Sequence, residues 1–428
     1  MKELKKTISL WKGLALAVSM IIGSGLLGLP GISLEVGNVY SAAGGWIITS
    51  ISAIPLIYIF SYLGMKFTSS AGISKYAQEA VGKGGAYAVS IVLCGTLTLG
   101  IPTMALIGGS YMQKLFMLPE NSIAWLAIAS LALMTIGNIF GVKVTNAINT
   151  ASFIALVSMV LIIIFSNISF LNKGIIVFGE FIIGKGYINY TDLWRTSAIL
   201  FWAFLGWENL SFGLEEFKNP KKTIPRVYWL SYVIVISLYL ALAATSIGAQ
   251  VSGISVEGAS GLASLMNHTP IGFVLTLFMV LVILANLNAW MFGFSRSVYS
   301  SGRVGILPSY LGRLSKKNVP VNSLITLFIV YVLIIILTIY VKQLSMSTLI
   351  LLVNQNFVVL YGFSIFAYWK TENKPIRWLV TILAACSFGF FISGFNWWVF
   401  YPIILLGLGY FIYYRVSKMN NLINNEQV

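Results

Sequence analysis

Apolar segments long enough to cross a bilayer follow one another almost without interruption from about residue 10 to about residue 416, separated by short clusters of Gly, Pro, Asn and charge. A helical span needs about 20 mostly apolar residues. In hydrocarbon the backbone must satisfy its own hydrogen bonds, so segments of this kind can only become membrane helices. Twelve such segments fit, at about 10–34, 41–65, 86–116, 121–140, 147–168, 192–214, 226–250, 269–300, 319–341, 345–369, 376–394 and 396–416. The expected fold is an all-α polytopic membrane protein forming a single transmembrane domain over residues 1–428. Charged residues make up only 9% of the chain, against roughly 25% in soluble proteins, which excludes an ordinary soluble enzyme. The first apolar segment runs past signal-peptide length and lacks a small-residue cleavage site, so it reads as a span and not a leader.

The charge balance is lopsided, with 27 Lys and Arg against 12 Asp and Glu. In a soluble protein that excess would suggest a nucleic-acid partner. With twelve spans and a cytoplasmic N-terminus, 22 of the 27 basic residues fall on the cytoplasmic side, among them Lys2, Lys12, Lys66, Lys83, Lys143, Lys218, Arg226, Arg303, Arg313, Lys374, Arg377 and Lys418. Lys114, Lys173, Lys185, Arg195 and Lys342 are left for the other side. This asymmetry is the positive-inside rule for a multi-pass protein of the cell membrane with both termini in the cytoplasm. The basic excess therefore reports orientation in a lipid bilayer, and no nucleic-acid partner is expected.

Several chemistries drop out on residue inventory. Cys94 and Cys386 sit in apolar surroundings, and His268 is the only histidine, so neither a disulfide framework, a metal site nor a catalytic triad is expected. No phosphate-cradling glycine loop with a following Lys is present. An enzyme and a bound cofactor are both unexpected, and a coupling ion, proton or sodium, is left open.

Two spans carry interruptions. The first reads Ser19-Met20-Ile21-Ile22-Gly23-Ser24-Gly25-Leu26-Leu27-Gly28-Leu29-Pro30-Gly31. So many glycines with a proline should break a helix, and broken backbone at membrane depth is tolerated only where it lines a cavity or is buried in protein. The N–H groups at the start of the second half-helix would suit a carboxylate; the alternative reading is close packing by small residues. The sixth span reads Phe201-Trp202-Ala203-Phe204-Leu205-Gly206-Trp207-Glu208-Asn209-Leu210-Ser211-Phe212-Gly213. Glu208 is the only acidic residue placed deep in a span, where a carboxylate costs at least about 2.5 kcal/mol on insertion scales. It needs a polar cavity, a partner or a proton, or else it holds the broken backbone. Breaks five spans apart are the mark of two inverted repeats around a midplane site, here about 10–168 and 192–369, with extra helices over about 376–416.

At these residues the chain resembles the amino-acid/polyamine/organocation transporter superfamily. Gly23-Ser24-Gly25-Leu26-Leu27-Gly28-Leu29-Pro30-Gly31 is similar to that family's GSGxxxxPG break, and Phe201 to Glu208 to its F-W-x-F-h-G-h-E pattern. Glu216-Phe217-Lys218-Asn219-Pro220 with Ile224-Pro225-Arg226 resembles its cytoplasmic loop, as Arg296-Ser297-Val298-Tyr299 with Gly305-Ile306-Leu307-Pro308 does its span-8 stretch, with Val304 where Asp is usual. The wording of the sixth span and loop is closest to bacterial hydrophobic amino-acid exporters.

The resemblance implies a five-plus-five fold and a secondary amino-acid transporter working by alternating access, by efflux or proton-linked exchange. It implies that the N–H groups of Ser24 and Gly25 bind the substrate carboxylate, and that the carbonyls of Ile21, Trp202 and Leu205 take the ammonium, with Gly23 and Gly206 also counted among the substrate-binding residues. Trp202 would be an aromatic lid and Trp290 a second gate, with lipid or core packing as the plainer alternative for each. Glu208 is the candidate for proton coupling. The lysine that some proton-coupled relatives carry in span 5 is absent, because counting fifteen residues from Gly141 lands on Leu156. Span 3 (Thr98, Gly100, Pro102, Met104) and span 10 (Asn354, Gln355, Asn356) are expected to line the side-chain pocket, which lacks a second deep charge and so suits a neutral, mostly apolar amino acid. The alternatives are a sodium-coupled importer, or a channel or sensor on the same scaffold.

Overall fold

The computed structural model describes residues 8–68, 72–140, 154, 156–211, 214, 217–266, 272–303, 305–315, 319–341, 344–393 and 397–426. Glu216, His268, Val304, Lys316, Lys317, Lys342 and the Gly141-Val142-Lys143 stretch lie outside these residues. Secondary structure among them is helical apart from an isolated parallel bridge between Ile8 and Phe217.

Among the described residues, eight helices are long and apolar enough to span a bilayer: α3 (Val39–Lys66), α5 (Lys83–Leu115), α6 (Ser122–Phe140), α11 (Pro220–Gln250), α13 (Gly272–Arg303), α14 (Val321–Tyr340), α15 (Met346–Thr371) and α17 (Phe400–Glu426). A ninth is reached if α7 (Leu156–Ser166) and α8 (Ile168–Ile182), which meet at 84°, count as one broken span. The remaining expected spans are the two interrupted ones and α16 (Ile376–Ile392), whose 17 residues fall just short of that length. Length and composition thus support a multi-pass α-helical protein and leave the count of twelve as an expectation.

Two boundaries differ from the sequence reading. The fifth segment does not end at 168, because the chain turns sharply at Asn167 and continues as α8. Close backbone contact seats α8 on α11: a Cβ on Gly174 would lie 1.8 Å from the Ala244 carbonyl oxygen, and one on Gly248 1.8 Å from that of Phe170. Small residues let membrane helices approach in this way. The polar stretch after α3 is also helical, as α4 (Ile73–Val81), with Lys75 and Glu79 paired at 2.7 Å one turn apart.

α5 lies at the centre, packed by α4, α6, α13, α14, α15 and α17, while α11 lies against α1 (Leu10–Ile21), α3 and α8. The loops gather at two ends. At one, Lys218 N–H donates to Ile8 O at 2.9 Å, Lys370 Nζ to Ala80 O at 3.2 Å, and Lys66 Nζ to Thr371 O. At the other, Lys173 Nζ donates to Ser252 Oγ at 2.8 Å, Asn38 Nδ2 to Tyr187 O at 3.1 Å, and Lys114 Nζ to Ser264 Oγ in α12 (Gly261–Met266).

Candidate functional site

The first interruption is two residues wide. α1 ends at Ile21, Ile22 is extended, Gly23 lies outside the regular backbone regions at φ -152° and ψ -140°, and α2 (Ser24–Val36) begins at once. Gly28, Pro30 and Gly31 do not break the chain again but lie within α2, so both sequence readings hold, each for part of the motif. Gly31 is there for close approach: its Cβ would lie 2.1 Å from Gly258 O, in the segment that joins α11 to α12. The N–H groups of the first turn of α2, Ser24 and Gly25 among them, have no partner within a helix, and Gly23 supplies no side-chain cap.

The second interruption is longer. α9 (Tyr190–Leu200) tightens into a 3-10 turn over Phe201–Phe204, Leu205 is extended, and Gly206 at φ 114° turns the chain into the short α10 (Trp207–Ser211). That φ suits glycine alone. The two breaks touch, since a Cβ on Gly206 would lie 3.0 Å from Met20 O and 3.3 Å from Ile21 Cα.

A cavity of about 480 Å³, counted out to its mouth, opens where the breaks meet. Ile21, Gly23 and Gly25 line it from the first break, Trp202 and Leu205 from the second, and Trp290 and Asn286 from α13. Trp202 bridges it: its Cδ1 is 3.0 Å from a Cβ on Gly25, and its Cη2 is 3.8 Å from one on Gly100 of α5. The remaining walls are apolar. α5 contributes Leu97, Gly100, Ile101 and Met104, so Thr98 and Pro102 are not among the lining residues. α15 contributes Val353 and Phe357, and the amides of Asn354, Gln355 and Asn356 are turned elsewhere. Asn354 Nδ2 donates to Ala198 O at 2.7 Å and Ile199 O at 3.3 Å, in the last turn of α9.

Of the expected site residues, the side chain of Ser24 lies outside the described residues, and Gly206 and Glu208 stand outside the cavity wall. Gly206 lies behind Leu205, and its N–H donates to Glu208 Oε2 at 3.1 Å. Glu208 is fully buried; the same oxygen accepts from Tyr361 Oη of α15, and Oε1 has no partner among the described residues. The acid therefore ties the loop between the two halves of the sixth segment to α15 and does not face the cavity.

Sequence reasoning missed the residues that hold the breaks open. Tyr239 Oη donates to Ile21 O at 3.2 Å, Tyr228 Oη to Trp207 O at 3.2 Å, and Tyr111 Oη to Leu27 O at 2.8 Å. Ile21 O, assigned to the ligand ammonium, thus keeps one lone pair for it. No local signal marks these tyrosines, because each acts on a segment far away in sequence. Asn286 was missed for the same reason.

The two broken helices thus meet at one largely apolar cavity. The profile described as "Amino acid permease" matches residues 8–419. The chain belongs to the amino acid permease family. This permease is accordingly a multi-pass membrane transporter and not an enzyme. It is 27% identical over 418 residues to a Bacillus subtilis protein named "Uncharacterized amino acid permease YecA", with 96% of each chain covered. It is 23% identical to the "L-methionine/branched-chain amino acid exporter YjeH" of Escherichia coli, over 95% of this chain and 96% of that one. It is also 24% identical to the "Putrescine transporter PotE" of Haemophilus influenzae, over 74% of each.

Proposed function

We propose that this permease is a secondary transporter of neutral, mostly apolar amino acids in the cell membrane, working by alternating access in the export direction. The observation that carries the reading is the cavity at the meeting point of the two breaks, whose lining among the described residues includes no acidic or basic side chain. The α-carboxylate would sit on the N–H groups of Ser24 and Gly25, where the positive end of α2 favours an anion. The ammonium would sit on carbonyls of Ile21, Trp202 and Leu205, and the substrate side chain against Met104, Val353 and Phe357. Trp202 and Trp290 are assigned as gates, and Glu208 as the group for proton coupling. The spans would form two inverted five-helix repeats with two further helices, and both termini would be cytoplasmic.

A cationic substrate, as the name of the putrescine transporter states for that protein, is the second reading. It would require an acid in the cavity wall, and Glu208 faces Gly206 and Tyr361 instead. The name of the Escherichia coli exporter supports the hydrophobic class and the outward direction. The test is uptake and counterflow of a labelled amino-acid panel in proteoliposomes, with imposed proton or sodium gradients. Methionine, leucine, isoleucine and valine should exchange and putrescine should not. A sodium-driven uptake would favour the importer, and transport of no amino acid would overturn the reading.

A further inference from the structure

Among the described residues, the cavity wall contains one polar side chain besides the tryptophan indoles, that of Asn286. It projects from α13 one turn before Trp290, and residues four apart share a helix face. It stands directly against the first break. A Cβ on Gly23 would lie 2.4 Å from Asn286 Oδ1 and 2.6 Å from both Cγ and Nδ2, so the carboxamide fills the space a side chain there would need.

We infer that Asn286 reads the ammonium and carboxylate head of the bound amino acid, and that Gly23 lacks a side chain so that this amide can stand at the break. This deepens the proposed function and rests on it. A carboxamide carries two N–H donors and an oxygen with two lone pairs. It can therefore donate to a carboxylate and accept from an ammonium, and a bond made within the protein still leaves positions for a ligand. Both charges of a zwitterion lose water on entering an apolar cavity, where hydrogen bonds to charged groups are the strong ones. The rotation of α13 is fixed independently. Asn288, two residues on and on another face, accepts from Asn138 Nδ2 of α6 at 2.7 Å, a buried bond that keeps Asn286 and Trp290 turned to the cavity.

The experiment measures binding of L-leucine, of its carboxyl-less amine (isoamylamine) and of its amino-less acid (4-methylpentanoate) to the purified full-length protein in detergent. In the parent, removing either charged group should weaken binding. Asn286→Leu should weaken L-leucine binding on the order of tenfold or more, while the penalty for removing a head group shrinks. A merely structural role would weaken all three ligands alike. Gly23→Ala should reproduce Asn286→Leu, because the new Cβ displaces the amide; Gly293→Ala, with nothing within 4 Å of its Cβ, should bind as the parent does. Asn286→Asp keeps the shape and replaces the donor with a negative charge, so it should lose L-leucine while holding the amine. That variant keeps the test available should the leucine variant not fold. Parent-like L-leucine binding by Asn286→Leu and Gly23→Ala, or equal losses across the three ligands, overturns the inference alone. Failure of the parent to bind any amino acid overturns the transporter reading, and the inference with it.

Discussion

At Gly25 the missing side chain leaves room that the proposed site needs. The residue lines the cavity, and a Cβ there would already touch Trp202 Cδ1 at 3.0 Å. Gly25→Leu would push a branched side chain across the floor of the site while leaving the hydrophobic spans unchanged. Binding of L-leucine or L-methionine should fall at least about tenfold with the amount of protein in the membrane unaltered; retained binding would put the carboxylate site elsewhere. Glu208 poses a different question. Its Oε2 is engaged by Gly206 N–H and Tyr361 Oη, and its second oxygen has no partner among the described residues. A buried carboxyl so placed can hold the break, carry a proton, or do both. Glu208→Gln keeps the shape and cannot change charge, so the pH dependence of transport should flatten if the acid carries the coupled proton. A profile that keeps its original slope would leave Glu208 with the structural role alone.

Among elements, α15 does most to define the sixth-segment break. Asn354 holds carbonyls in the last turn of α9, and Tyr361, seven residues later, holds Glu208 of α10, so one continuous helix grips both halves of an interrupted one. Asn354→Leu would leave Ala198 O and Ile199 O without that donor; Ile199 O keeps the Phe201 N–H, and a buried acceptor that loses its partner costs up to about 1–3 kcal/mol. The thermal midpoint of the detergent-solubilised protein should drop, and amino-acid affinity should drop with it, because Trp202 follows Ile199 by three residues. An unchanged midpoint would remove α15 as the brace. This element also shows where sequence reading stops. Both breaks are legible because Gly and Pro act on their own backbone, and the Gly23 and Gly206 positions follow from local rules. Asn354 reads as a polar residue in a span and is easily assigned to the pocket, since nothing local reveals that its amide points to α9 rather than to the ligand. The bend at Asn167 is hidden for a related reason, because apolar residues continue through it and the hydrophobic pattern does not change.

For the whole molecule, the sequence argument is one of sides, and the structure supplies the two ends on which to test it. Lys66, Lys218 and Lys370 make their contacts at one end, with Ile8, Ala80 and Thr371. Lys114 and Lys173 make theirs at the other, with Ser264 and Ser252. Charge counting alone could pair these groups only by assuming how often the chain crosses; here the groups converge through packing, without that assumption. What the fold does not specify is which end faces the cytoplasm, and there the basic excess supplies the expectation to be tested, since Lys and Arg resist translocation. Lys12, Lys185 and Lys374 are exposed. In a background with Cys94 and Cys386 replaced, a membrane-impermeant maleimide applied to intact cells should label Lys185→Cys and leave Lys12→Cys and Lys374→Cys untouched until the membrane is opened. Labelling of all three in intact cells would break the two-ended arrangement itself. The opposite pattern, with Lys185→Cys protected, would keep the fold and invert the orientation, and with it the assignment of which mouth of the cavity receives the amino acid.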